Sequence, residues 1–285
     1  MADRMSTKLY IPQPADNCTL VGVLEQLEPN KPTYGRKIAL ILHGTMGHKD
    51  YLFQKRLAAR LPLDSVRFDF RGSHESGGQW RYGGFAEDVQ DIVTVVAFLR
   101  KNHGYEIDMI VGHSRGSVVG MHWLCTSEEG KRVTAMVNVS GRYRMHRIYD
   151  RMDTYKEAFD TTGYYEWKVT VARQPVIERV YPKDLKEFAS WDTSIVWDNF
   201  PSTINVLTVH GLVDEVVPVY DALIYARAFG SRTPGTHVLH LMEDAGHNFA
   251  GRQDEVVDVI LEWLERHHSG ALVTGVLRTG VRGRL

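Results

Sequence analysis

Residues 112–116 read Gly112-His113-Ser114-Arg115-Gly116. They stand between Asp108-Met109-Ile110-Val111, an apolar run of buried-strand type, and Ser117–Thr126, a stretch of helical length. A serine between two glycines at a strand-to-helix junction is the G-x-S-x-G turn that lifts a nucleophile clear of its sheet. Both glycines have a steric reason. The turn is tight, and Gly112 and Gly116 leave space where a Cβ would crowd it, so Ser114 can take a backbone conformation that is costly elsewhere. Its hydroxyl then sits at a helix start, where free N–H groups favour developing negative charge. A serine in this place also suits an ordinary helix N-cap. The decision therefore rests on whether the rest of the chain supplies partners.

Working outward, short β-branched runs alternate with helical patterns. Strands are expected at Leu20–Leu27, Ile38–His43, Ser65–Phe70, Met109–His113, Ala135–Ser140, Val206–His210 and Val238–Met242. Helices are expected at Leu52–Arg60, Phe85–Lys101, Ser114–Thr126, Val219–Phe229 and Gln253–His267. The last shows the period well: Val256, Val257, Ile260, Leu261 and Leu264 form one stripe, with Asp254, Glu255, Asp258, Glu262 and Glu265 off it. Such alternation implies an α/β fold with a mostly parallel central sheet flanked by helices on both faces. Chemistry in these sheets gathers beyond the carboxyl ends of the strands.

That rule selects the partners. Val206–His210 runs into Gly211-Leu212-Val213-Asp214, and Val238–Met242 runs into Glu243-Asp244-Ala245-Gly246-His247. Ser114, Asp214 and His247 thus each follow a strand, in the order Ser…Asp…His. A serine hydroxyl is a weak nucleophile until a base takes its proton. His247 is the candidate base and later acid, and Asp214 the group that fixes the imidazole tautomer. Glu215 and Asp244 are weaker candidates for that place. The loop His43-Gly44-Thr45-Met46-Gly47 follows Ile38–Leu42. Its Thr45 N–H, with the Arg115 N–H, would form an oxyanion hole. Because both contribute backbone groups, side-chain replacement at Thr45 or Arg115 is expected to matter less than position suggests.

Residues 142–200 break the alternation: they hold no clear buried parallel strand but many aromatics, including Tyr155, Trp167, Trp191 and Trp197. So long a span is no plain loop. It is read as an inserted cap, helical with a small hairpin near Trp167–Arg173, and as a lid over the site. The remaining organisation is an N-terminal extension over 1–15, a core over 16–141 and 201–268, and a disordered tail over 269–285. The 285 residues are 43% hydrophobic and 24% charged, with a formal net charge of −1. That balance gives no field for nucleic acid or an anionic membrane. The histidines show no metal-ligand spacing, so no metal or other cofactor is expected. Two cysteines, Cys18 and Cys125, fit a reducing compartment. Met1–Pro14 lacks an apolar signal core, and no run nears the ~18 apolar residues of a membrane helix. The expectation is a cytoplasmic protein without stable membrane insertion, a monomer or homodimer.

These motifs resemble the α/β-hydrolase superfamily, and within it the cinnamoyl/feruloyl esterase-like and serine-aminopeptidase-like (monoacylglycerol-lipase-like) serine hydrolases. The matching residues are His43-Gly44, Asp69-Phe70-Arg71-Gly72, Gly112–Gly116, His210–Asp214 with Val217-Pro218, and Gly246-His247, within a span from about Cys18 to His268. The chain departs from that pattern at Arg71-Gly72-Ser73-His74-Glu75-Ser76, which lacks the usual Arg-Gly-His-Gly order. It departs again at Ser117, where a second glycine is common. The resemblance implies cleavage of carboxylic esters through an acyl-enzyme, of small aromatic or short-to-medium acyl type. The same triad could serve a thioesterase, an acyltransferase or a peptidase. A peptidase would need cap carboxylates, for which Asp153, Glu157, Asp160 and Glu166 are candidates. Carboxylate-nucleophile members are disfavoured by Ser114. A non-catalytic ligand-binding protein on the same fold is the reading of another class. His43, His113 and His210 end strands and read as scaffold groups; Asp69 and Arg71 read as loop-holding.

Overall fold

In the computed structural model, which describes residues 4–276, strands and helices alternate along most of the chain. The order opens with β1 (Met5–Gln13), β2 (Cys18–Gln26), β3 (Lys37–Leu42), α1 (Gln54–Arg60), β4 (Asp64–Phe68), α2 (Phe85–His103), β5 (Glu106–His113) and α3 (Arg115–Thr126). After β6 (Ala135–Val139) come a 3-10 turn at Met145–Arg151, α4 (Met152–Thr162), β7 (Tyr165–Val171), β8 (Gln174–Val180), α5 (Pro182–Ser190) and α6 (Ile195–Asp198). The chain continues through β9 (Asn205–Gly211), α7 (Tyr220–Gly230), β10 (His237–Met242), α8 (Gln253–His268) and β11 (Gly275–Val276).

Among the described residues nine strands form one sheet in the order β1-β2-β4-β3-β5-β6-β9-β10-β11. From β4 to β11 neighbours are parallel, while β2 meets both β1 and β4 antiparallel. Period-2 side-chain alternation divides the core between the two faces. In β3, Ile38, Leu40 and Leu42 join the apolar cluster that also holds residues of α2, α3 and α7. Ala39 and Ile41 join the cluster beneath α1 and α8. Both faces are thus covered, which is why the parallel strands read as near-continuous apolar runs. Helix α8 buries Val256, Val257, Ile260 and Leu264 as its stripe anticipates, together with Val259 and Trp263. Acidic Asp254 and Glu255 open it and Arg266, His267 and His268 close it, the arrangement that suits the helix dipole.

Two terminal regions differ from their expectation. Met5–Gln13, within the stretch read as an extension, is an edge strand paired along its whole length with β2, from Met5↔Gln26 to Gln13↔Cys18. Leu9, Ile11 and Gln13 point inward in alternation, and Pro12 is tolerated because the strand is an edge. Within 269–285, Gly275 and Val276 pair with Val238 and Leu239 of β10; residues 277–285 lie outside the described residues. Cys18 and Cys125 are free, and no helix among the described residues is long and apolar enough to cross a membrane.

The 142–200 segment is helical with one antiparallel hairpin, β7-β8, somewhat longer than the sequence suggested. Ala172 and Arg173 both have positive φ (48° and 68°), as a two-residue turn matching strand twist requires. Tyr155, Val180, Leu185, Phe188 and Val196 are buried and continue the core cluster of the α3 face.

Candidate active site

Ser114 sits between β5 and α3 with φ 52° and ψ −117°, a conformation costly for any side chain. Its N–H donates to the Val139 carbonyl (2.8 Å) and so ties the turn to β6. The close quarters explain the glycines. A Cβ at Gly116 would lie 2.6 Å from the carbonyl oxygens of Leu42 and His43, and one at Gly112 would lie 2.4 Å from the Ser117 nitrogen. Ser117 braces the turn: its Oγ donates to the Gly112 carbonyl (2.6 Å) and accepts the Val139 N–H (3.2 Å).

The structure brings the sequence-selected residues together. His247, in the loop after β10, places Nε2 3.0 Å from Ser114 Oγ and Nδ1 2.8 Å from Asp214 Oδ2. The other Asp214 oxygen accepts the N–H groups of Val216 (2.9 Å) and Val217 (2.8 Å). Burial pushes the Asp214 carboxyl up, but the His247 contact and the Val217 N–H outweigh it and hold it below the ordinary carboxylate value. Asp214 is therefore ionised at neutral pH. Glu215 and Asp244 are exposed, and Asp214 alone of the three carboxylates bonds His247. Thr45 lies at the tip of a tight turn closed by the Gly47 N–H on the Gly44 carbonyl (3.0 Å). Gly44 packs so close to the elbow that a Cβ there would stand 3.1 Å from the Ser114 Cβ. As the first residue of α3, Arg115 has an N–H with no partner inside the helix.

Three buried histidines at strand ends hold the surrounding loops. His43 donates from Nδ1 to the Gly44 carbonyl (2.8 Å) and accepts the Phe70 N–H at Nε2 (3.0 Å). His113 Nε2 donates to the His247 carbonyl (3.0 Å), and His210 Nε2 to the Val217 carbonyl (2.8 Å). Because carbonyls only accept, each tautomer is set by its partner. Burial lowers all three, His43 to about 4 and His113 to about 3, so they stay neutral. Asp69 and Arg71 do hold loops, but not each other: Asp69 pairs with Lys49 (2.6 Å), and Arg71 with Asp91 (2.7 Å).

The Arg115 side chain has a role that its backbone position hides. It is buried; Nε meets Asp88 at 2.5 Å, Nη1 donates to the Tyr82 carbonyl (2.5 Å), and the guanidinium lies 4.1 Å over the Phe85 ring. It thus fastens the elbow to the start of α2. Burial raises Asp88 to about 6, against the lowering effect of Arg115.

At Ser114 opens a cavity of about 420 Å³, lined by Thr45 and His247 and by Trp167, Val169 and Phe188 of the 142–200 segment. Tyr51, Tyr82, Arg142 and Arg151 also line it; the sequence pattern had marked none of these four. Their positions follow from how loops and the inserted segment fold back, which no periodicity encodes. Among the described residues no carboxylate lines the cavity, and Asp153, Glu157, Asp160 and Glu166 are all exposed elsewhere. The loop Arg71–Ser76 does not reach the cavity wall. The metal-ligand grouping found among the described residues, Asp69, His74 and Glu75, lies outside the cavity and already holds the Lys49 ammonium.

Comparison with known proteins agrees with this architecture. The profile of the alpha/beta hydrolase family matches residues 39–259. A protein of Saccharomyces cerevisiae, the uncharacterized YDL057W, is 28% identical over 276 residues, covering 80% of this chain and 79% of the yeast protein. Est1E from Butyrivibrio proteoclasticus, solved with ferulic acid bound, superposes with a TM-score of 0.71 at 18% identity, over 92% of this chain and 99% of that one. The Pyrococcus furiosus esterase Pf2001 gives 0.63 at 18% identity, over 92% of each chain. Structural likeness at such identity speaks to the fold alone. With the family profile spanning most of its length, this chain belongs to the alpha/beta hydrolase family.

Proposed function

We propose that the protein is a serine hydrolase that cleaves carboxylic esters through an acyl-enzyme. The observation that carries the reading is the continuous chain Asp214–His247–Ser114, with 2.8 and 3.0 Å contacts. Ser114 Oγ attacks the ester carbonyl carbon while His247 Nε2 takes its proton. Asp214 holds Nδ1–H and stabilises the imidazolium, and the N–H groups of Thr45 and Arg115 receive the oxyanion. Collapse of the tetrahedral intermediate expels the alcohol, protonated by His247; water then repeats the sequence on the acyl-enzyme. The 142–200 segment serves as a cap whose aromatic lining selects small aromatic or short-to-medium acyl esters. The ferulate held by Est1E is in keeping with that class. Among the described residues the cavity lining holds no carboxylate to pair with the substrate amine of a peptidase.

The test is a fluorophosphonate probe read by intact mass and peptide mapping. Labelling at Ser114, absent in Ser114→Ala, is expected, together with turnover of p-nitrophenyl esters. Labelling at another serine removes the assignment.

A further inference from the structure

Among the described residues, the cations Arg142 and Arg151 line the Ser114 cavity without an anion to meet them. Arg142 is 9% exposed, and the hydrogen bond its side chain makes is from Nη2 to the Val216 carbonyl (2.5 Å). Among the described residues it has no ion-pair partner. The acids near it are committed elsewhere: Asp221 to Arg144 (2.5 Å) and Asp214 to His247. Arg151, at the end of the 3-10 turn, likewise has no ion pair among the described residues, and its neighbour Asp150 pairs with Arg147. Arg142 and Arg151 line the same cavity, and the Tyr82 side chain lines it with them. Burial lowers Arg142, as expected for a cation held out of water without a counter-ion. A guanidinium kept in this state is costly unless something pairs with it.

We propose that Arg142 and Arg151 form an anion-binding subsite, and that the esters this protein takes carry a carboxylate. The inference rests on the serine-hydrolase reading and refines its substrate class. A planar carboxylate matches the fork of guanidinium donors, and Tyr82, Trp167 and Phe188 supply the apolar and aromatic wall for the rest of the molecule. The substrate is therefore amphipathic: acidic at one end, apolar along its length, with the ester carbonyl between Ser114 and the Thr45 and Arg115 amides.

Matched pairs of esters test this. Mono-p-nitrophenyl adipate against p-nitrophenyl hexanoate places the acid on the acyl side; 4-acetoxybenzoate against its methyl ester places it on the leaving group. In at least one pair kcat/KM is expected to favour the acid by about tenfold, a factor worth ~1.4 kcal/mol. That ratio should collapse in Arg142→Met and in Arg151→Met and partly return in Arg142→Lys. Since the ratio is taken within each variant, a general loss of activity does not distort it. If Arg142→Met fails to fold, the exposed Arg151→Met still carries the test. Ratios at or below one in both pairs, with neutral esters cleaved at Ser114, overturn the subsite and leave the hydrolase reading standing. Should no ester be cleaved and Ser114 stay unlabelled, the hydrolase reading falls instead. Calorimetry of Ser114→Ala with monomethyl and dimethyl adipate then reads the subsite alone: tighter binding of the acid supports it, and equal binding overturns it.

Discussion

Replacing Arg115 with methionine keeps the backbone N–H and much of the side-chain volume but strands Asp88, which is buried and faces Arg115 at 2.5 Å. Removing one partner of a buried pair typically costs about 3–5 kcal/mol. For a chain of this size that is roughly 6–20 °C in Tm. The pH dependence makes the test specific. Asp88 in the wild type already titrates at about 6, above its ordinary 3.8, because burial outweighs Arg115. A raised folded pKa gives stability that is present at low pH and lost as pH rises through the folded value. In the wild type the loss contributed by Asp88 is therefore complete near pH 6. In Arg115→Met the folded pKa moves higher still, so in that variant the Asp88 contribution goes on falling above pH 6. The penalty should be nearly constant below pH 6 and grow from there to pH 8. Thermal melts at pH 5, 6.5 and 8, with Asp88→Asn and the double variant to close the cycle, measure it. A Tm loss under about 2 °C at pH 8, or a penalty independent of pH, would refute the assignment of Arg115 as the elbow's anchor.

Other expected outcomes are simpler. Asp214→Asn should keep the fold but lower kcat by about 10⁴, measured with a p-nitrophenyl ester, because the amide fixes the wrong imidazole tautomer; a loss under tenfold would contradict the role of Asp214. Gly116→Ala drives a Cβ to 2.6 Å from two carbonyl oxygens and should cost about 1–3 kcal/mol in urea unfolding. Trp167→Ala opens the cavity wall and should lower kcat/KM by about tenfold for aromatic and hexanoate esters, ~1.4 kcal/mol of lost contact, and less for acetate. Stability should fall as pH drops from 6.5 towards 4. His43, His113 and His237, lowered by burial to about 4, 3 and 3, stay neutral in the folded chain while the unfolded chain takes up protons. These three shifts together exceed the opposing shift of Asp88, so a Tm that is flat or rises on acidification would count against their burial as neutral groups.

The core and the three residues around Ser114 were legible because they obey local rules. Strands β3, β5, β6, β9 and β10 are buried on both faces and show as apolar runs, so the residues that follow them could be read off directly. β1 was missed although Leu9 and Ile11 alternate correctly: an edge strand buries one face only, and its exposed Lys8, Tyr10 and Pro12 read as a polar lead-in. Gly275 and Val276 carry no pattern at all; β10 recruits their backbone. The Arg115 side chain was undervalued because its partner Asp88 lies 27 positions away and is brought there by the entry of α2. Arg142 and Arg151 were opaque for a related reason. A cation lining a cavity and a cation in solvent look alike until the fold shows which counter-ions are already taken.

The inserted segment leaves the sheet after β6 and returns at β9, and these two strands are hydrogen-bonded neighbours, paired from Ala135↔Asn205 to Val139↔Val209. Fifty-odd residues are thus hung from two adjacent points, and no strand of the sheet needs to shift register to accommodate them. Ser114, Asp214 and His247 all lie outside this segment, so their spacing is set by the sheet and its loops and not by it. The same attachment opens a route for engineering: residues 142–200 can be exchanged as one piece, joined at two neighbouring strand ends, with Ser114, Asp214 and His247 left in place.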